Sequence, residues 1–308
     1  MATSPVSITT RPEFTLWMPR LRPAAGGVKR ARIAGVLIDE ASPLFAVLAT
    51  LAREARLVFF AGLPGTGKSL LIRELAHLAH ARGRDIHVLQ WDVARIPFEA
   101  CEAGRRYPQV DGVTHGVIRL AVGRWARAAV ATWHARHARE ALLLGETPFV
   151  GHRLVELARP DPDEAEPLLA SASARFVVPV PSPALRAHLE GERERRARAP
   201  LHPREREDAP PAVLRAIWRE VAGGDRPYDP AVYRQVYERL LARRHTLALA
   251  LDTRLPAEAV SAYDVRVPTT DLLAEPGEAS RHIADVEARY AGPADVQRAI
   301  EGWRDAAG

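Results

Sequence analysis

Residues 57–69 read LVFFAGLPGTGKS, and residues 70–83 continue LLIRELAHLAHARG. The run LVFFA is short, apolar and rich in β-branched and aromatic residues, which predicts a buried strand. Leu70, Leu71, Leu75, Leu78 and Ala79 recur at helical spacing and Gly83 follows as a stop signal, which predicts a helix. Between them Gly62, Gly67, Lys68 and Ser69 occupy the four defined positions of G-x-x-x-x-G-K-[ST]. Each residue type has a mechanical reason to be there. Glycines let successive backbone N–H groups curl inward toward phosphate oxygens, with Gly65 adding freedom, and the following helix adds its positive N-terminal end. Lys68 is expected to reach the β- and γ-phosphates and the Ser69 hydroxyl to ligate magnesium. The stretch Gly62, Leu63, Pro64, Gly65, Thr66, Gly67, Lys68, Ser69 and Leu70 is thus the expected nucleotide-binding segment.

The composition agrees with a globular chain. Its 308 residues are enough for one large domain or two ordinary ones, and 47% hydrophobic with 26% charged residues excludes collagen-like, wholly disordered and disulfide-scaffold classes. The single cysteine, Cys101, permits neither an intrachain disulfide nor a cysteine-based zinc cluster. No apolar run approaches the roughly 18–20 residues of a membrane span, and the start MATSPVSITTRPEF has no signal-type hydrophobic stretch, so a soluble cytoplasmic protein with no membrane partner is expected. The net charge of +5 is dispersed along the chain, which argues against a nucleic-acid partner. Of 43 basic residues only Lys29 and Lys68 are lysine, so the loop lysine stands out against an arginine background. The oligomeric state leaves no mark in the sequence.

Three further strand candidates follow the loop before the charged segment: IHVLQW at 86–91 leading into Asp92, ALLLGETPF at 141–149 whose apolar run ends at Gly145 and Glu146, and RFVVPVPSP at 175–183. Between Arg186 and Asp208 there are then seven arginines and six acidic residues in 23 positions, and HTLALALDT at 245–253 supplies the fifth strand of the series. With this order and the D-x-x-R spacing of Asp92 and Arg95, residues 56–253 resemble the P-loop NTPase superfamily, in its small-molecule and nucleotide kinase branch. The resemblance implies a three-layer α/β/α fold with a five-stranded, mostly parallel sheet, and ATP with Mg²⁺ as cofactors. It implies Asp92 as general base for an acceptor hydroxyl, Arg95 steering an anionic substrate, and Glu146 at the metal or water position beside Ser69. It also implies an arginine-bearing lid, about 184–210, bringing Arg186, Arg193 or Arg196 to the transferring phosphoryl group. Arg193 is the first choice because it lies within the charged helix. The plainer reading makes Asp92 a turn cap, Arg95 a surface charge and the 186–208 segment a solvated helix laced with ion pairs.

Other segments are read as scaffold. VLIDE at 36–40 has a hydrophobic-then-acidic form but precedes the loop, and Ser42-Pro43 opens a helix instead. Residues 113–139 predict a long helix whose Trp125 and Trp133 fill the core and whose Arg119, Arg124 and Arg127 face water. His115, His134 and His137 lack acidic partners at ligand spacing. Residues 1–34, with four prolines and one acidic residue, read as an N-terminal extension to a kinase-like domain over 35–308. Residues 256–308 read as a helical C-terminal extension broken at Gly292-Pro293 and packed through Trp303. The expected function is ATP-dependent phosphotransfer to a small-molecule acceptor. The alternatives are an ATPase whose hydrolysis drives a conformational change through Glu146, and a nucleotide-binding module without turnover.

Overall fold

The computed structural model describes residues 33–305 other than 256 and 258, so the N-terminal extension falls outside the described residues but for its last two. The strands are β1 (Leu57–Ala61), β2 (Ile86–Gln90), β3 (Leu142–Thr147), β4 (Ala174–Pro181), β5 (Thr246–Leu251) and β6 (Thr270–Asp271). They form one sheet in the order β5-β4-β1-β3-β2-β6, every pairing parallel. This is an α/β fold with six strands where five are expected from the sequence. The extra strand, β6, pairs His87 with Thr270 and Val88 with Asp271 at the edge beyond β2. Two exposed polar residues have no hydrophobic period to betray them, and their strand lies in the C-terminal segment expected to be helical.

Helices cover both faces, as a parallel sheet requires. α1 (Pro43–Glu54) and α2 (Lys68–His80) lie on one face, where Val58, Phe60, Val88, Leu142, Leu144 and Val177 meet Leu48, Leu51, Leu71, Ile72 and Leu75. Between β2 and β3 come the short α3 (Trp91–Ala94) and α4 (Ile96–Ala100) and the long α5 (Gly116–Arg136). Then follow α6 (Glu166–Leu169), α7 (Pro183–Arg198), α8 (Pro211–Ala222), α9 (Pro230–Leu240), α10 (Pro276–Arg289) and α11 (Pro293–Glu301). The opposite face buries Leu57, Phe59, Leu89, Leu143, Phe176 and Val178 against Trp125 and Trp133 of α5, Tyr233 and Tyr237 of α9, and Ile283 and Val286 of α10. Trp303 packs the C-terminal segment into the same cluster, as its position suggests.

Two local features shape the middle of the sheet. Gly145 stands level with Phe59 of β1, and a Cβ there would lie 2.0 Å from the Phe59 ring, so only glycine lets that ring occupy the core beside β3. Arg127 of α5 does not face water as expected: it is 4% exposed and donates to Asp163, Glu166 and the carbonyls of Glu156, Arg159 and Asp161. The VLIDE segment lies against α2, where Glu74 accepts from Leu37 N at 2.7 Å and Ile38 N at 3.1 Å, and takes no part in the cleft described next.

Candidate functional site

β1 ends at Ala61 and the chain turns through Gly62, Gly65 and Gly67, all at positive φ (149°, 74° and 86°), before α2 begins at Lys68. These values lie where side chains are strained, so the glycines permit the turn. Gly62 has a second constraint: a Cβ there would meet the Tyr233 hydroxyl at 2.1 Å. Within the loop the Thr66 hydroxyl donates to Leu63 O at 2.9 Å and Lys68 Nζ donates to the same carbonyl at 2.7 Å. Pro64, Gly65, Gly67, Lys68, Ser69 and Leu70 line a cleft of about 720 Å³, whereas Gly62, Leu63 and Thr66 do not line it.

The neighbouring strand brings its carboxylate to this loop. Glu146 stands level with Phe60 of β1 and Gln90 of β2 near the carboxyl ends of the strands. Its Oε1 lies 3.2 Å from Lys68 Nζ and its Oε2 3.5 Å from the Ser69 hydroxyl. Burial lowers the proton affinity of Lys68, Glu146 offsets this in part, and Arg193 lowers it further. Ser69 and Glu146 are hard oxygen donors of the kind magnesium takes, but among the described residues no three acidic, histidine or cysteine side chains converge as a self-sufficient metal site. The pair therefore suits an ion whose remaining ligands are waters and phosphate oxygens.

The segment after β2 contributes another part of the cleft lining. Asp92 lies in the first turn of α3, its side chain 70% exposed to the cleft, with Arg95 Nε at 3.9 Å. Walls of protein deprive it of bulk solvent, which raises its proton affinity, and Glu146 raises it further against the pull of Arg95, Arg204 and Arg153. Arg95 lines the cleft too, but its closer partner is Glu99, at 2.5 Å. Part of its charge is thus spent within its own helical turn.

The arginine-rich segment forms α7 and a 3₁₀ turn, Pro203–Glu207, over the loop. Leu189 and Glu190 come within 4 Å of where side chains on Gly67 and Gly65 would begin. Arg193 and Arg196 line the cleft; Arg186 does not. Arg186 is 4% exposed, paired with Glu190 at 2.8 Å and stacked over Tyr228 at 4.4 Å. Arg193 Nη2 is held at 2.8 Å by Asp208, which also accepts from the Tyr263 hydroxyl at 2.7 Å. Arg196 pairs with Glu205, which accepts from Ser261 at 2.7 Å. Sequence reasoning misses Asp208, Tyr263, Arg153 and Arg204 as cleft residues, because loops with no recognisable motif carry them there. The available signal is for Arg204 and Asp208, which belong to the charged segment.

No family model, curated protein or solved structure matches this chain.

Proposed function

We propose that the chain is a P-loop protein that binds ATP with Mg²⁺ and transfers its γ-phosphoryl group to a small-molecule acceptor. The observation that carries this reading is the meeting of Lys68, Ser69 and Glu146 in a cleft that Asp92 also lines, close enough to act on Lys68 and Glu146. Its place in the sheet supports it. β1 leads into α2 on one face while β3 leads into residues 149–158, whose side chains join the core of the other face. Neighbouring strands whose continuations diverge leave a crevice at their carboxyl ends, where open α/β sheets bind ligands.

In this reading Lys68 leaves Leu63 O for the phosphate oxygens, and the loop amides and the N-terminus of α2 hold the rest of the triphosphate chain. Bound magnesium, on Ser69 and with Glu146 beside it, would supply charge neutralisation of the phosphates. Asp92 accepts the proton of the acceptor hydroxyl as its oxygen attacks. Arg193 exchanges Asp208 for the transferring group, so that positioning and electrostatics supply most of the catalysis.

The test measures ATP binding and γ-phosphate release with and without a mixture of sugars, nucleosides and antibiotics. Lys68→Ala should abolish turnover and weaken ATP binding at least tenfold while the protein stays folded, since Lys68 fills no core. Turnover equal to the parent's would overturn the loop assignment. Turnover that ignores every acceptor, survives Asp92→Asn and stops in Glu146→Gln would replace phosphotransfer by hydrolysis.

A further inference from the structure

Immediately after β3 the backbone is strained. Phe149, His152 and Leu154 have φ of 62°, 60° and 62°, three of the four non-glycine residues at positive φ among those described, and Gly151 between them has 62°. Phe149 and Leu154 are bulky residues for which that region is costly, and such strain persists only when the surroundings impose it. Here they do. Phe149 N donates to Arg153 O at 3.0 Å and Arg153 N returns a bond to Phe149 O at 3.2 Å. His152, 1% exposed, is fixed between Ala299 O at 2.9 Å and Glu156 at 2.8 Å.

The product of this tight turn is the placement of Arg153 in the wall of the cleft. Its guanidinium donates to Val150 O at 2.8 Å and lies 5.9 Å from the Trp91 ring, and no carboxylate among the described residues comes within ion-pair distance. Arg119 stands behind it, donating to Gly151 O at 2.7 Å, also without an ion pair. Arg204, which also lines the cleft, donates to Gln90 at 3.3 Å and lies 4.9 Å from the Tyr263 ring, again without one. Asp92 acts on both Arg153 and Arg204, Glu220 acts on Arg119 and Arg153, and Asp271 on Arg204, all from beyond contact. Arg95, which also lines the cleft, is paired with Glu99. Half-buried guanidiniums without carboxylate partners carry unused donors, which match the oxygens of a phosphate or carboxylate.

We infer that Arg153 and Arg204 form an oxyanion site beside Asp92, and that the molecule taken by this half of the cleft carries a phosphate or carboxylate group. Calling that molecule an acceptor rests on the phosphotransfer reading; the anion site itself does not. Arg153 is preset by its turn, whereas Arg204 arrives on the segment that follows α7, so the anion would also tie the lid to the body.

The full chain, its glycine loop filled with magnesium and a nonhydrolysable ATP analogue, would be titrated by calorimetry with phenyl phosphate, benzoate and neutral benzyl alcohol. At least one anion should bind more tightly than the alcohol. Arg153→Gln and Arg204→Gln should each weaken it roughly ten- to hundredfold, Arg153→Lys should restore part of the loss, and analogue affinity should hold. A preference for phenyl phosphate assigns a phosphoryl group and one for benzoate a carboxylate. Anions that bind the parent no better than the alcohol, or bind folded Gln variants like the parent, overturn the inference. If Arg153→Gln fails to fold, Arg204→Gln decides. If the analogue does not bind the parent, the phosphotransfer reading fails, and the same comparison without nucleotide still judges the anion site.

Discussion

Asp92 sits where ionisation is disfavoured, and this links its chemistry to stability. Its proton is held more tightly in the fold than in the unfolded chain, where the carboxyl has its ordinary value near 3.8. The stability this group contributes is therefore present below that value and lost as pH rises through the raised folded value. At neutral pH the ionised form is a burden that Asp92→Asn removes. The variant should melt no lower than the parent, and slightly higher, and in the proposed phosphotransfer its rate should fall by about 10² to 10⁴. The base of that proposal must be ionised, so the acid limb of the parent's pH–rate profile should then lie above the ordinary carboxylate range. Thermal melts at pH 7 and rate profiles check both. Gly62 offers a second test at this scale, since the Tyr233 hydroxyl leaves no room for a Cβ. Gly62→Ala should cost about 1–3 kcal/mol and nucleotide binding, and adding Tyr233→Phe should restore part of the stability, which denaturant titration would show. The glycines of the loop were legible in the sequence because their need is local. Arg153 was not, because its role depends on a turn whose strain is imposed by His152 and by a carbonyl at residue 299.

At the scale of elements, the sequence reading succeeds where burial enforces a pattern. β1 to β5 fall at the expected segments, since four of them are buried on both faces and even the edge strand β5 has one covered side. α7 covers the first half of the charged segment, but which arginines reach the cleft follows from helix phase and from partners far away in sequence. Arg193 and Arg196 are tied through Asp208 and Glu205 to Tyr263 and Ser261, so a loop some sixty residues downstream fastens the charged segment. Tyr263→Phe removes one hydrogen bond to a charged group, about 1.5–3 kcal/mol at most. Cleavage within residues 186–208 under limited proteolysis should quicken several-fold, and an ATP analogue together with an acceptor should slow it in parent and variant alike. Equal cleavage of parent and Tyr263→Phe would show that the 261–263 loop does not fasten the charged segment.

Across the whole molecule, arginine does work that its abundance disguises. Arg56, Arg73, Arg127, Arg186 and Arg244 are each 7% exposed or less. Arg127 of α5 and Arg244, just before β5, converge on Glu166 while Arg127 also grips Asp163, so the layer after β2, the segment after β3 and the start of β5 are joined by one ionic cluster. Burial alone would raise the Asp163 and Glu166 carboxyls, but hydrogen bonds and charge from Arg127 and Arg244 outweigh it and leave both below their ordinary values of 3.8 and 4.5. Carboxyls lowered in this way stabilise the fold above those unfolded-state values, and the contribution disappears as pH falls through the lower folded ones. Arg244→Leu should cost about 1.5–3 kcal/mol at pH 7, because Glu166 loses one of its two guanidinium partners, and Arg127→Leu should cost more, about 3–5 kcal/mol, because Asp163 loses its arginine as well. The losses should not add, since both act on Glu166. On acidification below about pH 4 the parent should lose this stabilisation and approach the single variants, whose stability should depend less on pH. Denaturant titrations of the parent, both single variants and the double variant from pH 7 to pH 3 measure all of these. Additive losses, or parallel pH dependence in all four proteins, would mean that the cluster does not act as one unit holding the layers together.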